Sequence, residues 1–302
     1  FKHLALVVVD EQHRFGVHQR LALANKGRRD NDCPHQLVMT ATPIPRTLAM
    51  TAYAGLDVSV IDVLPPGRQP VTTVAMSQVR REEVIERLSA VLAEGRQAYW
   101  VCPLIEESEV LEAEAAETRA EELTKALPQF QVALIHGRMK VQEKQDIMAL
   151  FLSGDIQLLV ATTVIEVGVD VPNASLMMIE NAERMGLSQL HQLRGRVGRG
   201  QNQSACVLLY KAPLGEMAKQ RLQVMRETTD GFVIAEKDLE LRGPGEVLGT
   251  RQTGLMRFRI AELSRDAHLL EDLPNWANKL SPQAQAGLID RWVGQAEAYI
   301  EV

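Results

Sequence analysis

Leu4-Ala5-Leu6-Val7-Val8-Val9-Asp10-Glu11-Gln12-His13 is the stretch that decides the fold class. Six aliphatic residues in a row, closed by two carboxylates, show neither the alternation of a half-exposed strand nor the period of an amphipathic helix. Such a run reads as a strand buried on both faces, as in a parallel sheet. A chain that opens inside one reads as a piece cut within a domain. Working outward, Gln36-Leu37-Val38-Met39 is a second short strand, followed by Thr40-Ala41-Thr42-Pro43-Ile44-Pro45, and Val58–Val63 is a possible third. Leu64-Pro65-Pro66-Gly67-Arg68-Gln69-Pro70 breaks regular structure and reads as a linker.

Beyond the linker, strands are expected at Val71–Met76, Ala98–Cys102, Gln131–Ile135, Gln157–Val160, Leu176–Ile179 and Ala205–Leu209. Helices between them are expected at Glu82–Ala93, Leu111–Leu127, Val141–Leu152 and Ser188–Val197. Strands separated by helices of this length predict βαβ units and a doubly wound parallel sheet, hence an α/β protein. From Pro213 the strands stop; Lys219–Glu227, Phe232–Leu241 and Ile260–Leu270 read as helices around a glycine-rich loop at 243–254.

The 302 residues suggest about two domains. Hydrophobic residues at 46% and charged residues at 24% argue for a globular rather than a disordered chain. No apolar run approaches the ~20 residues of a membrane helix, so no membrane partner is expected. Cys33, Cys102 and Cys206 are too widely spaced for a disulfide framework or a CxxC zinc site and suit a reducing cytosol. The net charge of −6 excludes a nonspecific polycation, but residues 184–259 hold 13 Lys and Arg against 7 Asp and Glu. A nucleic-acid site would be a local patch there. The acidic block at 106–122, with eight Glu and one Arg, reads as a solvated helix face.

Asp10 and Glu11 stand at the C-terminal end of a buried strand, the edge where open α/β sheets bind ligands. Asp10 suits a Mg²⁺ held through water, and Glu11 suits the water that attacks a γ-phosphate. Alone, two acids after a strand read rather as a strand end with a helix N-cap. Gln192-Leu193-Arg194-Gly195-Arg196-Val197-Gly198-Arg199 places Arg196 and Arg199 three apart, expected as neighbours on one helix face, with Gln192 a turn earlier. An arginine inserted from another domain stabilises charge developing on a transferred phosphoryl group by about 10³–10⁵ in rate. Threonine hydroxyls and backbone N–H groups at a helix start, as at Thr162 and Thr163, suit phosphate oxygens. His136 alone reads as a satisfied loop residue.

Asp-Glu-Gln-His at 10–13, Thr-Ala-Thr at 40–42 and Q-x-x-G-R-x-G-R at 192–199 occur in the order of the motif series of superfamily 2 helicases, which the chain resembles over nearly its whole length. The resemblance implies two RecA-like domains that use ATP and Mg²⁺. It gives Glu11, Gln192, Arg196 and Arg199 catalytic roles, and Asp10, Gly168 and Asp170 roles toward the nucleotide and its metal. Leu134-Ile135-His136-Gly137-Arg138-Met139 looks like motif IV, and residues 161–170 look like motif V. His136, Gly137, Arg138, Thr162 and Thr163 are therefore candidates for tracking nucleic acid, and His13, Thr40 and Thr42 for coupling.

The stretch 238–254, Asp-Leu-Glu-Leu-Arg-Gly-Pro-Gly-Glu-Val-Leu-Gly-Thr-Arg-Gln-Thr-Gly, resembles the TRG translocation motif shared by the RecG family and the transcription-repair coupling factors. Arg221, Arg242 and Gln252 become coupling candidates. Asp-Glu-Gln-His-Arg-Phe-Gly-Val and Pro65-Pro66-Gly67-Arg68 favour the RecG family, whose members remodel stalled forks and branched duplex DNA. That implies residues 1–66 as the end of a first RecA-like domain, 67–214 as a second, and 215–302 as a mostly helical TRG region. It also implies a monomer in the bacterial cytoplasm, at the nucleoid. No Gly-Lys dipeptide occurs anywhere, so the family's G-x-x-x-x-G-K-[ST] loop is absent, as is its wedge domain; both are expected upstream, and the chain alone is expected to be inactive. The alternatives are a coupling factor acting on RNA polymerase, or a DNA-binding or interaction module without ATPase activity.

Overall fold

Two sets of parallel strands organise the computed structural model. It describes residues 4–11, 34–40, 57, 59–61, 63, 65, 68–103, 109–162, 170–242, 266, 269 and 272–293. The chain divides into two compact units, one of residues 60–238 and one of residues 1–59 with 239–302.

In the second of these units, β1 (Leu6–Val9) pairs in parallel with β2 (His35–Val38), Val9 opposite Val38. Val7 and Val9 are buried, whereas Leu6 and Val8 are each 53% exposed. The expectation of burial on both faces is therefore corrected: side chains alternate across a strand, and one face of β1 remains open. Val58–Val63 is not a strand at its described positions; Ile61 and Val63 are exposed and outside regular structure. Further along, α7 (Leu273–Lys279) and α8 (Pro282–Val293) lie in the region expected to be mostly helical, at positions the sequence reading does not single out. Nearly all of Ile260–Leu270 lies outside the described residues.

The unit of residues 60–238 is built on a six-stranded sheet: β3 (Val71–Ser77), β4 (Gln97–Val101), β5 (Val132–Ile135), β6 (Leu158–Ala161), β7 (Ala174–Ile179) and β8 (Ser204–Tyr210). The spatial order is β3-β8-β7-β4-β6-β5, and every pairing is parallel. Parallel neighbours need crossover connections, which α1 (Arg81–Ala93), α2 (Glu109–Ala126), α3 (Val141–Ser153) and α4 (Leu187–Arg194) provide. All six expected strands are present, displaced by a residue or two at most ends.

Strand β4 is buried at all five positions and supplies the core's two largest side chains. Trp100 packs with Val84, Leu88 and Leu92 of α1 and Leu123 of α2. Its neighbour Tyr99 points the other way, meeting Phe151 of α3 edge-on at 5.0 Å. Helices thus cover both faces, which is why β4, β6 and β7 carry unbroken apolar runs. After β8, α5 (Glu216–Glu227) packs on β3 and α4, and α6 (Gly231–Arg242) follows a short turn. Asp230 accepts the Phe232 N–H at 2.8 Å in that turn. The sheet unit thus extends to Asp238, past residue 214, because α5 is fastened to it by side chains described below.

Candidate functional site

Glu11 is the first unusual residue. Its φ of 51° lies in the left-handed region, which costs a non-glycine residue about 1–3 kcal/mol and is concentrated at functional sites. The Asp10 Oδ1 accepts the Glu11 N–H at 2.8 Å. The Met39 N–H reaches the Val9 carbonyl at 2.8 Å, so Thr40 follows β2 at the same edge at which Asp10 and Glu11 follow β1. His13 and Thr42 lie outside the described residues. Among the described residues no group of three or more His, Cys, Asp or Glu could hold a metal. One carboxylate with waters and phosphate oxygens is nevertheless a donor set that Mg²⁺ accepts, and Asp10 fits that role.

The arginine motif takes a shape that helical spacing does not predict. Helix α4 stops at Arg194, with Gly195 as its cap, and residues 195–200 form a turn leading into β8. Arg196 and Arg199 are therefore not neighbours on a helix face; this corrects the expectation, and the glycines are the reason. Gly198 has φ +77°, and a Cβ there would stand 2.6 Å from Val71 Cγ2. A Cβ on Gly200 would stand 2.3 Å from the Pro172 carbonyl oxygen. The turn is thus pressed onto the segments that precede β3 and β7.

Arg199 Nε donates to the Gly195 carbonyl at 3.1 Å, and its Nη1 lies 3.5 Å from Asp170 Oδ1. Arg68 donates to the Gly198 carbonyl at 3.1 Å and to the Gly195 carbonyl at 3.4 Å. Gln192, on the last turn of α4, and Arg196 and Arg199 are all partly exposed. Burial pushes the Tyr99 hydroxyl up to about 12 despite the opposing charges of Arg196 and Arg199. The structure thus gathers Arg68, Asp170 and the arginine turn at the N-terminal ends of adjacent strands β3, β8 and β7. Gly168 lies outside the described residues.

Arg194 is a structural residue of the motif that sequence reasoning missed. Only 3% exposed, it donates to the carbonyls of Met225 at 3.0 Å and Thr228 at 2.8 Å, at the C-terminus of α5, and to Thr73 Oγ1 at 3.4 Å. A guanidinium there satisfies carbonyls that lack helix partners and meets the negative end of the helix dipole. Its Nη2 also lies 3.0 Å from His191 Nδ1, and burial together with this charge lowers the His191 pKa to about 4. The signal was present: Leu187, Leu190 and position 194 share a helix face, and the first two are fully buried. Arg221 fastens α5 a second time, donating to the carbonyls of Glu183 at 2.9 Å and Met185 at 3.0 Å, just past the end of β7.

The nucleic-acid candidates sit at the opposite, C-terminal edge of the sheet. His136, Gly137 and Arg138 form the turn after β5; Gly137 and Arg138 are exposed, and His136 Nε2 lies 3.7 Å from Glu117 Oε1. Lys144 Nζ donates to the Gly137 carbonyl at 2.9 Å. Thr162 follows β6 and is only 3% exposed, its N–H bonded to the Ile135 carbonyl at 3.2 Å. Its side chain is therefore buried at the end of the strand. Thr163, Gln252 and the Arg242 side chain lie outside the described residues. At the same edge, buried Glu180 accepts from Trp100 Nε1 at 3.1 Å and lies 2.8 Å from Arg119 Nε and 3.4 Å from Arg81 Nε. The lone arginine of the acidic block thus has a structural partner. No described helix is long and apolar enough to cross a membrane.

Comparison with known proteins adds independent findings. Residues 75–201 match the family described as "Helicase conserved C-terminal domain", and residues 228–287 match "ATP-dependent DNA helicase RecG, domain 3, C-terminal". The ATP-dependent DNA helicase RecG of Pasteurella multocida is 64% identical over 306 residues, covering 100% of this chain and 44% of the relative. That of Escherichia coli K12 is 64% identical over 303 residues, covering 99% of this chain and again 44% of the relative. A solved RecG bound to a three-way DNA junction superposes with a TM-score of 0.68 at 47% identity, over 90% of this chain and 34% of that one. The helicase MrfA bound to DNA shares the fold, with a TM-score of 0.55 at 16% identity, over 79% of this chain and 35% of that one.

Proposed function

The chain belongs to the RecG family of DNA helicases, and from that premise we propose that it serves an ATP-driven double-stranded DNA translocase that remodels stalled forks and branched junctions. It spans 44% of the length of the curated relatives just described, so the whole protein's activity is inferred here. In this reading the protein acts as a monomer in the bacterial cytoplasm, beside the nucleoid. A loop outside these 302 residues cradles the β- and γ-phosphates.

Asp10 would hold a Mg²⁺ through water, and the metal would neutralise phosphate charge when bound. Glu11, locked in its left-handed backbone conformation, orients and polarises the attacking water. Arg196 and Arg199 offset the negative charge that develops on the γ-phosphate oxygens, with Asp170 and the Gly195 carbonyl fixing the Arg199 head group. The exposed turn at Gly137 and Arg138 contacts the DNA backbone, and Arg221, Arg242 and Gln252 belong to the coupling path.

The single observation that carries this reading is the arginine turn. Three guanidiniums and one carboxylate are gathered at one sheet edge, while the turn suited to DNA lies at the other. The test is Arg199→Ala in the full-length protein with saturating branched DNA. Turnover is expected to fall by about 10³-fold or more, with nucleotide affinity changed only a few-fold. Unchanged turnover would remove the turn from the chemistry.

A further inference from the structure

The arginine turn is short of intrinsic rigidity. Three of its six residues, Gly195, Gly198 and Gly200, are glycines, the residues with the most conformational freedom to lose. Yet phosphoryl transfer depends on placement, and a shift of ~1 Å in a catalytic group costs on the order of 10²-fold in rate. Something outside the turn must hold it. Part of the hold is steric, where Val71 and Pro172 press on Gly198 and Gly200. The directional part comes from one side chain in the segment leading into β3.

We infer that Arg68 is a positioning residue for ATP hydrolysis, clamping the backbone of the Gly195–Gly198 turn so that Arg199 is held in one place. This inference rests on the proposed role of that turn. Arg68 Nε and Nη2 reach the carbonyls of Gly198 and Gly195 at 3.1 and 3.4 Å, spanning the turn with one rigid planar fork. Arg199 Nε donates to that same Gly195 carbonyl at 3.1 Å. One oxygen therefore serves both arginines through its two lone pairs, and fixing the carbonyl from the Arg68 side fixes the point on which the Arg199 head group is anchored. Arg68 is itself steadied, its backbone N–H bonded to the Pro65 carbonyl at 3.2 Å. A lysine offers a point charge on a flexible stem and spans the two carbonyls poorly.

The experiment is a double-mutant cycle in the full-length protein. Arg68→Ala, Arg199→Ala and the double variant are compared by single-turnover ATP hydrolysis with excess enzyme and saturating branched DNA. Arg68→Ala is expected to lower the rate constant 10- to 100-fold with nucleotide affinity held within threefold, and Arg68→Lys to recover only part of the loss. In the Arg199→Ala background the same substitution is expected to cost less than threefold, because its effect travels through Arg199. Arg68→Gln, which keeps the inner part of the side chain and one donor group but not the fork, repeats the cycle if the alanine variant does not fold. A penalty that persists undiminished without Arg199 overturns the inference, since a merely structural residue would behave that way; so does an unaffected rate in Arg68→Ala. Absence of turnover in the unsubstituted protein overturns the proposed function instead, and the role of Arg68 with it.

Discussion

His191 is neutral in the folded protein because burial and the adjacent Arg194 guanidinium both oppose a second positive charge, bringing its pKa to about 4 against an unfolded value near 6.5. The unfolded chain therefore binds more protons between those values, so stability is complete above pH ~6.5 and declines as pH falls toward 4. The slope reaches about 1.4 kcal/mol per pH unit. Urea unfolding of the parent and of His191→Asn, measured between pH 7 and 4.5, should show a steeper loss for the parent; parallel curves would show that the imidazole carries no such penalty. At this scale the sequence was legible in placement: Asp10 and Glu11 stand at the end of β1, where the aliphatic run puts them. It misled at Arg196 and Arg199, because whether a helix continues through Gly195 depends on what the glycines press against. Arg194 went unseen because a charged residue type overrides a buried position in any reading by composition.

The helix α5 shows how elements depend on such residues. Its own sequence is polar on most faces, and only Leu222 and Met225 are deeply buried, so apolar packing alone anchors it weakly. Arg194 at its C-terminal end and Arg221 in its middle supply directional anchors. Replacing Arg194 with Met keeps much of the volume but leaves the Met225 and Thr228 carbonyls without that donor. The expected cost is about 3 kcal/mol, seen as a lower denaturant midpoint with an unchanged m-value. A loss under 1 kcal/mol would mean that water replaces the guanidinium. Elements were otherwise the most legible level. Strands buried on both faces are largely apolar, which made β4, β6 and β7 directly legible; β3, partly exposed and carrying Thr72 and Thr73, also lay where it was expected. The end of α4 could not be read, and α8 went unread although Ser281 accepts the Ala284 N–H at 3.3 Å, Pro282 stands at its start and its apolar residues recur at helical spacing.

At the largest scale, the 302-residue sequence holds the proposed acids and arginines but no G-x-x-x-x-G-K-[ST] pattern. The isolated chain should therefore show no ATP turnover above background with forked DNA, and its DNA binding should be weak and strongly salt-dependent. Turnover that vanishes in Arg199→Ala would reveal another phosphate site within the chain. The separation of the arginine turn from the His136–Arg138 turn, on opposite edges of one parallel sheet, carries a further consequence. Nucleotide and DNA held at those two edges never compete for the same surface, so neither can influence the other by displacement. Any influence must be a difference in free energy between two arrangements of the protein lying between them, and such a difference is symmetrical. If DNA tightens nucleotide binding tenfold, nucleotide must tighten DNA binding tenfold. Under the proposed function, the hold on DNA at one edge would then depend on the phosphate state at the other, without contact between the two.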